Sequence, residues 1–454
     1  MSQRISRRAF MGAGAVVGVA SARRPVTPAP VGPVVRTVAT GTPALLGGEP
    51  VRSAPFPEWP VIDQREDEAL LEVLHGREWY RGSGKVARRF EDVYAELTGA
   101  RYCIATANGT SALVTSLAAL DVGPGDEVIL PPYTFIATLN VVFLQYALPV
   151  FVDSDIETSM IDARKIEGAL TERTGAIVPV HLGGNACDMD TIVDISRRRK
   201  IPVVEDACQA VLGEWRGRKL GTVGDAGCFS FQASKNLNSG EGGALLTNHQ
   251  DLAARCYGFH DHSRRRRDIG RASQPLTGRA NNLRITEFQA GVLLAQMTRL
   301  EEQTKTREEN AQYLTAQLNE IPGIRPARMY DGCTRNGYHI YMLRYDPEPF
   351  AGLPRAQFLR AMRAEGVPCS GGYSPLDTQP FVKATLETSA YRRIYSPEIL
   401  TDWEERTRCP ANDRLCQEAV WFGQTMLLGP RSDMDDIAGA IRKIRVAAPD
   451  LARA

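Results

Sequence analysis

The stretch of sequence that decides the fold reads FSFQASKNLNSGEGG, at residues 229–243. Its apolar start predicts a strand, which delivers Lys235 into a loop of small residues, and Gly240, Gly242 and Gly243 let the backbone approach a ligand closely. A lone lysine in a loop is usually a solvated surface residue. Because Lys235 stands just past a strand end and no second basic residue shares its loop, we also consider it a candidate Schiff-base lysine.

A second candidate site reads VVEDACQ, at residues 203–209, where an apolar strand ends in Glu205 and Asp206. Strand ends are where α/β enzymes place functional groups. A carboxylate at the edge of a buried sheet needs a cationic or hydrogen-bonding partner, because an unpaired buried charge is strongly unfavourable. A protonated pyridine nitrogen would be such a partner, and a helix cap or a magnesium ligand are the alternatives.

A third candidate site reads ANGTSAL, at residues 107–113, between a predicted strand and an apolar helix that begins near Ser111. A strand-to-helix turn with glycine and hydroxyl residues points backbone N–H groups and the helix dipole at an anion, and a phosphate would fit there. The alternative is an ordinary helix cap, in which Thr110 or Ser111 satisfies the first turn.

The remaining pattern predicts the fold class. A helical pattern runs from about Asp63 to Thr98, and beyond residue 100 short apolar strands alternate with amphipathic helices, as in a largely parallel sheet covered on both faces. We predict an α/β protein with a large domain at residues 45–315, which closes with a long helix after Ile285. The predicted strands are Tyr102–Ala105, Glu127–Leu130, Val150–Val152, Ala176–Val180, Val203–Glu205, Cys228–Phe231 and Ala244–Thr247.

A different pattern follows the long helix. Tyr338–Tyr345 is strand-like, whereas Arg355–Glu365 and Met434–Ile444 have helical periodicity. We therefore predict a smaller C-terminal α+β domain at residues 316–454.

Composition excludes several classes of protein. The 454 residues carry 54 Lys and Arg against 53 Asp and Glu, a net charge of +1, so no basic surplus indicates a nucleic-acid partner. No run of about 18 apolar residues predicts a membrane span. The nine cysteines form no Cys-x-x-Cys pair and no cluster with histidine, which argues against a disulfide scaffold and against a Cys-type zinc site. We expect most of them to be buried thiols. The six histidines show no metal-ligand spacing either, and we predict no metal site.

The N-terminus predicts export. Residues 6–12, SRRAFMG, precede a weakly apolar run and resemble a twin-arginine signal, with cleavage after Ala22. The alternative is a disordered basic arm. We therefore predict a signal peptide at residues 1–22, a linker at 23–44, and a periplasmic or exported protein, with a cytoplasmic location as the alternative.

Taken together, these parts resemble the pyridoxal-phosphate aminotransferases of the DegT/DnrJ/StrS family, which act on keto-sugars and keto-cyclitols. The resemblance spans about residues 45–446 and implies an aspartate-aminotransferase-like fold, fold type I. The motifs that carry it are Asn108–Leu113, Gly125–Val128, Thr134-Phe135, Pro179–His181 with Asp188–Asp190, Glu205–Gln209, Ser230–Gly243, Asn282–Arg284 and Cys409-Pro410.

The resemblance implies two catalytic residues. Lys235 would form the Schiff base with the cofactor, pyridoxal 5'-phosphate, and then shuttle a proton, while Asp206 would keep the pyridine nitrogen protonated. Because Lys235 replaces the histidine of the family's sugar dehydratases, amino transfer is favoured. The cofactor-binding residues that the resemblance implies are Lys235, Asp206, Gln209 near the phenolic oxygen, Phe135 on the ring face, Thr110, Ser111 and Ser230 at the phosphate, and Asn282, which would reach the phosphate of a neighbouring subunit.

We accordingly predict a transaminase that moves an amino group from glutamate or glutamine to a keto-sugar, often nucleotide-linked, or to a keto-cyclitol. The C-terminal pattern at Tyr338-His339 and Gly372-Tyr373 favours the cyclitol and aminohydroxybenzoate-type members. A homodimer with shared active sites is expected. The alternative is a non-catalytic, cofactor-binding sensory or scaffolding protein. Two features are read as structural, His181 as a core residue and Arg264–Arg267 as a solvated face, although the arginine run could instead meet a phosphorylated substrate.

Overall fold

The computed structural model describes residues 41–273 and 278–453. The predicted signal peptide, residues 1–22, lies outside them, and so do residues 23–40 of the predicted linker. Within the described residues, no helix combines the length and the apolar content that crossing a bilayer requires.

The chain alternates strands and helices as far as residue 318 and ends in a mixed segment. The strands are β1 Tyr102–Thr106, β2 Glu127–Leu130, β3 Leu148–Phe151, β4 Thr174–Ile177, β5 Val204–Asp206, β6 Glu214–Trp215, β7 Arg218–Lys219, β8 Ala226–Ser230, β9 Gly243–Thr247, β10 Ile324–Pro326, β11 Cys333–Arg335, β12 Ile340–Tyr345 and β13 Ala419–Gly423. The first eight helices are α1 Gln64–Gly76, α2 Val86–Thr98, α3 Gly109–Ala119, α4 Ile136–Leu144, α5 Ala163–Ala169, α6 Met189–Arg199, α7 Gln250–His260 and α8 Glu287–Leu318. The later helices are α9 Arg355–Ala364, α10 Pro380–Leu386, α11 Ser389–Ile394, α12 Pro397–Arg406, α13 Pro410–Glu418, α14 Arg431–Val446 and α15 Ala448–Leu451.

The large sheet is mainly parallel. Strands β1, β9, β8 and β5 lie side by side, and the parallel bridges Ile177–Val203 and Val180–Asp206 join them to β4, β2 and β3. Only β9 runs against its neighbours in this sheet, because the loop of residues 231–242, which carries Lys235, returns the chain to the side of β8. The predicted α/β class and its strands are confirmed, with strand ends shifted by a few residues. The strand ends that carry the candidate site therefore meet at one edge.

The sheet is buried on both faces, which explains its continuous apolar runs. Successive residues of a strand enter opposite cores: Cys228 and Leu245 pack on one face, Phe229 and Leu246 on the other. Each such side chain contributes roughly 1.5–3 kcal/mol by leaving water. Both faces of the sheet thus hold the strand ends in fixed positions.

Helix α8 connects this sheet to a third core. A capping box at Thr286 and Gln289 fixes its start. Its first half buries Leu293 against the large sheet, and its second half buries Leu314 and Leu318 in the C-terminal core. Helix α8 therefore contributes both to the core of the large sheet and to the C-terminal core.

The C-terminal core contains the antiparallel sheet β10-β12-β13, covered by α9 and α14. Helices α10–α12 do not join it, because Val382, Tyr391 and Trp403 pack into a core of the large sheet instead. A domain boundary at residue 315 stays a prediction.

An N-terminal strap, residues 44–59, crosses from the C-terminal core to the Lys235 loop. The buried Glu365 carboxylate accepts hydrogen bonds from the Ala44 and Val51 N–H groups, at 2.8 and 2.9 Å, and from Lys443 Nζ at 2.9 Å. At the other end of the strap, Trp59 Nε1 donates to the Ala233 carbonyl at 3.0 Å. The strap therefore contacts the backbone two residues before Lys235.

Candidate active site

A cavity of about 550 Å³ opens at the edge where β5 and β8 end. It brings together most of the residues predicted from the sequence. Those that line it are Thr110, Phe135, Asp206, Gln209, Ser230 and Lys235. Ser111 and Asn282 do not line it.

Asp206 is the last residue of β5 and is 5% exposed. Its Oδ2 accepts a hydrogen bond from Thr138 Oγ1 at 2.8 Å, and its Oδ1 accepts one from the Cys208 N–H at 3.2 Å. Among the described residues, no Lys, Arg or His nitrogen lies within 4.0 Å of this carboxylate. A buried carboxylate without a counter-ion that faces a cavity fits a cationic ligand group.

The neighbouring Glu205 has a different role. Its buried carboxylate accepts hydrogen bonds from His181 Nε2 at 2.9 Å and from the N–H groups of Gly221, Val223 and Gly224 at 2.6–2.7 Å. These bonds occupy both oxygens. Glu205 and His181 therefore hold the turn before β8, which confirms that His181 is structural.

Lys235 lies in the loop after β8, with Nζ inside the cavity. Burial lowers the pKa of its ammonium group, and the nearby Cys208 and Asp206 partly oppose this effect. A lysine whose pKa is lowered supplies more of the neutral, nucleophilic amine at neutral pH. The Nζ atom lies 3.4 Å from His339 Nε2.

The N-terminus of α3 faces the same cavity. Asn108 caps the helix, since its Oδ1 accepts both the N–H and the Oγ–H of Ser111 at 2.8 Å. Ser111 therefore serves the cap, and the N–H groups of Gly109 and Thr110, which have no partner within the helix, remain for a ligand. A Cβ at Gly109 would lie 2.8 Å from both Cys208 Sγ and Ser230 Cβ, so this approach requires glycine. The arrangement fits a bound phosphate.

Gln209 and Phe135 line the wall between these groups. Gln209 Oε1 accepts the Gly183 N–H at 2.8 Å, and its Nε2 donates to the Tyr373 hydroxyl at 3.1 Å. Phe135 is 55% exposed and its ring centroid lies 6.4 Å from that of Tyr373. An apolar ring face at the mouth of the cavity suits a planar ligand.

Asn282 lies on the surface rather than in the cavity. It is exposed and pairs with Asp261 through an antiparallel bridge. A second cavity of about 560 Å³ lies beside it, on the outer side of the α3 turn, and Ser111 and Arg279 line that cavity. Any contact of Asn282 with a cofactor must therefore be made outside the cavity of its own chain.

Three further residues line the cavity that the sequence analysis did not assign to the site: Thr138, and His339 and Tyr373, which were noted only as parts of the C-terminal pattern. Thr138 lies four residues after Thr134, one helical turn further on, and the two Oγ1 atoms are 2.8 Å apart. The position of Thr138 could therefore have been inferred from the Thr134-Phe135 motif. The other two come from far along the chain.

The arginine run at residues 264–267 does not act as one surface. Arg266 is largely buried and pairs with Glu91 at 2.7 Å. Arg264 is exposed and pairs with the Tyr80 hydroxyl at 2.5 Å. The expectation of a solvated face is thus wrong for Arg266, because the buried Glu91 carboxylate needs a cationic partner.

A family model of the DegT/DnrJ/EryC1/StrS aminotransferases matches residues 60–422. The chain belongs to this family. It is 37% identical over 418 aligned positions to the L-glutamine:2-deoxy-scyllo-inosose aminotransferase of Streptoalloteichus tenebrarius, covering 88% of this chain and 97% of that protein. It is 35% identical over 415 positions to the L-glutamine:scyllo-inosose aminotransferase of Streptomyces griseus, covering 88% and 97%.

Solved structures agree with the DegT/DnrJ/EryC1/StrS assignment. The crystal structure of 3-amino-5-hydroxybenzoic acid synthase superposes with a TM-score of 0.76 at 30% identity, covering 87% of this chain and 99% of that one. DesI, solved in the presence of its TDP-sugar product, gives a TM-score of 0.72 at 27% identity, covering 89% and 96%. The chain is a pyridoxal-phosphate-dependent aminotransferase of fold type I, as predicted.

The cavity fits that cofactor by its own chemistry. The unpaired Asp206 carboxylate suits a protonated ring nitrogen, and the open N–H groups at Gly109 and Thr110 suit the phosphate. Lys235 supplies a primary amine between them. The relatives carry enzyme names, and none supports the alternative of a non-catalytic binding protein.

Proposed function

We propose that this enzyme transfers the amino group of L-glutamine to a keto-cyclitol of the scyllo-inosose type. One observation carries the choice between cyclitol and nucleotide-linked sugar: Lys235 is the only lysine or arginine among the described residues that line the cavity. A nucleotide diphosphate needs additional cationic groups, usually arginine. A neutral cyclitol needs hydroxyl partners, and Gln232, Ser234 and Tyr373 offer them. The names of the quoted curated relatives support the same donor and substrate class.

The predicted cofactor-binding residues that line the cavity receive roles in this proposal. Bound pyridoxal phosphate supplies an aldehyde carbon and a ring that acts as an electron sink. Asp206 holds the proton on the ring nitrogen, and the α3 N–H groups, with the Thr110 and Ser230 hydroxyls, bind the phosphate. Phe135 would pack on the ring of the bound cofactor, and Gln209 would lie at its edge. Lys235 binds the cofactor through Nζ, which later moves a proton at the substrate carbon.

Amino transfer to a cyclitol can be measured directly. Purified enzyme with L-glutamine labelled at its α-amino nitrogen should transfer the label to scyllo-inosose or 2-deoxy-scyllo-inosose, detected by mass spectrometry. Borohydride reduction should leave the cofactor attached to Lys235, and Lys235→Ala should lose both signals. Amination of a TDP-linked keto-sugar with no amination of either inosose would contradict the substrate proposed.

A homodimer with shared sites is part of the proposal. The exposed Leu71, Leu74 and Trp79 side chains, 43–51% accessible, support an apolar contact surface. Asn282 of one subunit would reach the phosphate of the other. Asn282→Ala should weaken cofactor affinity without changing the dimer mass in light scattering, and a monomer with full activity would contradict the shared site.

Export through the twin-arginine route is proposed from residues 1–22 alone. Expression of the full chain should give a periplasmic protein whose N-terminus, read by mass spectrometry, begins at Arg23. The export proposal is contradicted if the protein stays in the cytoplasmic fraction with an intact N-terminus while the twin-arginine pathway of the same cells exports a control substrate.

A further inference from the structure

His339 lines the cavity directly beside Lys235. It precedes β12 and is 8% exposed, with Nε2 3.4 Å from Lys235 Nζ and Nδ1 3.2 Å from Asn236 Oδ1. Asn236 Nδ2 donates to the Gly337 carbonyl at 2.7 Å, which fixes the orientation of the amide. Since Asn236 Oδ1 can only accept, His339 Nδ1 carries the ring proton. The lone pair of Nε2 therefore faces Lys235.

The surroundings keep this imidazole neutral. Burial, together with the positive charges of Lys235 and Arg307, holds the pKa of His339 well below its ordinary value. Arg307 is itself buried and donates through Nε to Gln424 at 2.8 Å. Among the described residues, no carboxylate lies within 4.0 Å of His339 to favour an imidazolium.

The other two fully buried histidines have different surroundings. His181 donates to the Glu205 carboxylate. His260 bonds the Tyr257 carbonyl at 2.7 Å and lies 3.4 Å from Arg81. Neither lines the cavity, so both are satisfied core residues, whereas His339 presents an acceptor to the reactive amine.

We propose that His339 is a positioning residue for Lys235. Its Nε2 accepts one N–H of the neutral Lys235 amine, so that the Nζ lone pair points into the cavity at the substrate carbon, and Asn236 fixes the tautomer that makes this possible. No proton passes to His339 and no covalent bond changes there. The role rests on the proposed function, because it assumes that Lys235 is the amine that acts.

Kinetics of two substitutions test the role. His339→Phe keeps an aromatic ring of similar volume and removes the hydrogen-bond acceptor. We expect it to lower kcat by about 10–100-fold in both half-reactions, while each KM changes less than about threefold. The reason is that misplacing a reacting group by about 1 Å can cost about 10²-fold in rate. His339→Gln retains an acceptor and should recover part of that loss. His249→Phe, at an exposed position, is the control and should match the native enzyme.

Titration of the cofactor-free protein gives a readout that is independent of activity. Acylation of Lys235 as a function of pH, followed by mass spectrometry, reports its pKa directly. A hydrogen bond stabilises the ammonium more than the amine, so His339→Phe should lower the midpoint by about one pH unit and His339→Gln by less. Asn236→Asp favours an imidazolium, which cannot accept from Lys235 and repels its ammonium, and it should also lower the midpoint.

The outcomes separate the two proposals. If the titration midpoint of Lys235 in the His339 and Asn236 variants equals that of the native protein, the positioning role is overturned, even when the aminotransferase activity is intact. His339→Gln no better than His339→Phe in kcat would overturn it as well. If His339→Phe does not fold, the Asn236→Asp midpoint decides. Native enzyme that aminates neither inosose would instead refute the proposed substrate and leave the titration result standing.

Discussion

At the scale of single residues, Asp206 and Glu205 show how adjacent carboxylates separate into two functions. Both lie at the end of a buried strand, yet His181 and three backbone N–H groups occupy the oxygens of Glu205, whereas Asp206 accepts hydrogen bonds from Thr138 and Cys208 and faces the cavity. Alternation along a strand sends successive side chains to opposite faces. A ligand-binding carboxylate and a structural carboxylate can therefore occupy adjacent positions in the sequence.

The Asp206 role predicts a specific kinetic defect. Asp206→Asn keeps the size of the side chain but has one acceptor oxygen in place of two, and it cannot hold a proton on the ring nitrogen. We expect kcat to fall by about 10²–10⁴-fold, the range that a positioned proton-transfer group contributes, while the cofactor still binds. Steady-state kinetics and the cofactor absorbance check this. Turnover within a factor of three of the native rate would remove Asp206 from the mechanism.

A second prediction concerns stability in acid. Burial lowers the pKa of His260 to about 4 from 6.5, and the nearby Arg81 acts in the same direction, while the Tyr257 carbonyl, Glu91 and Asp261 oppose it. The unfolded chain then binds a proton more readily than the fold. The contribution to stability is complete above pH 6.5 and is lost as pH falls towards 4, by roughly 3 kcal/mol in total.

Urea unfolding at pH 7, 6, 5 and 4 measures this dependence. His260→Gln should show a shallower decline than the native protein over that interval, even if it is less stable throughout. Parallel curves for the two proteins would assign the acid sensitivity to other groups. His249→Gln, at an exposed position, is the control.

Sequence reasoning found the site residues that lie next to strand ends. Asp206, Ser230 and Lys235 were identifiable because a local pattern of strand followed by loop marks each of them. His339 and Tyr373 were noted in a C-terminal pattern, but their place in the site was not predicted, since they meet Lys235 and Gln209 across separations of 104 and 164 residues. Such contacts depend on tertiary packing, which no local pattern encodes.

At the scale of elements, the turn before α3 combines a tight approach with an open helix end. A Gly109→Ala side chain would overlap Cys208 Sγ and Ser230 Cβ. We expect the free energy of unfolding to fall by about 1–3 kcal/mol from overpacking, and phosphate affinity to fall with it. Thermal unfolding and binding of pyridoxal phosphate measure the two effects.

Gly168 is the matched control for this substitution. It lies within α5, and a Cβ there would meet no atom within 4 Å. Gly168→Ala should stabilise the protein by about 0.5–1 kcal/mol, because alanine loses less backbone entropy in a helix. Equal effects at Gly109 and Gly168 would show that space around the α3 turn is not limiting.

The periodicity of apolar residues predicted which segments are strands and which are helices, but it did not predict where these elements pack. The strands of the large sheet were found because each is a short apolar run. The reversed direction of β9 and the packing of α10–α12 on the large sheet were not predicted. Amphipathic helices show that they bury a face, yet the pattern does not say against which core.

At the scale of the whole molecule, two buried ion pairs anchor the N-terminal strap, Glu365 with Lys443 beneath it and Arg52 of the strap with Asp433 at 2.6 Å. The Glu365 and Lys443 side chains are 0% and 7% exposed, and Glu365 also holds two strap N–H groups. Glu365→Gln leaves the Lys443 charge unpaired, and we expect a loss of about 3–5 kcal/mol in urea unfolding. The exposed pair Lys305–Glu309 gives the control, since Glu309→Gln should change stability by less than about 0.5 kcal/mol.

We expect the Glu365→Gln substitution to affect the active site as well. The strap also contacts the Ala233 carbonyl through Trp59, so its release should loosen the Lys235 loop and raise the rate of cofactor loss. A Glu365→Gln protein as stable as the native one would show that the other contacts of the strap, among them the Arg52–Asp433 pair, suffice to hold it.

The order of strands in the large sheet has a consequence for synthesis. β1 pairs with β9, whose residues follow it by more than a hundred positions, and the cavity then takes His339 and Tyr373 from still later in the chain. Long-range pairing of this kind forms slowly and late. The ribosome must therefore synthesise the chain as far as Tyr373, out of 454 residues, before every lining residue of the cofactor pocket is available, so the complete pocket forms late in translation or after it.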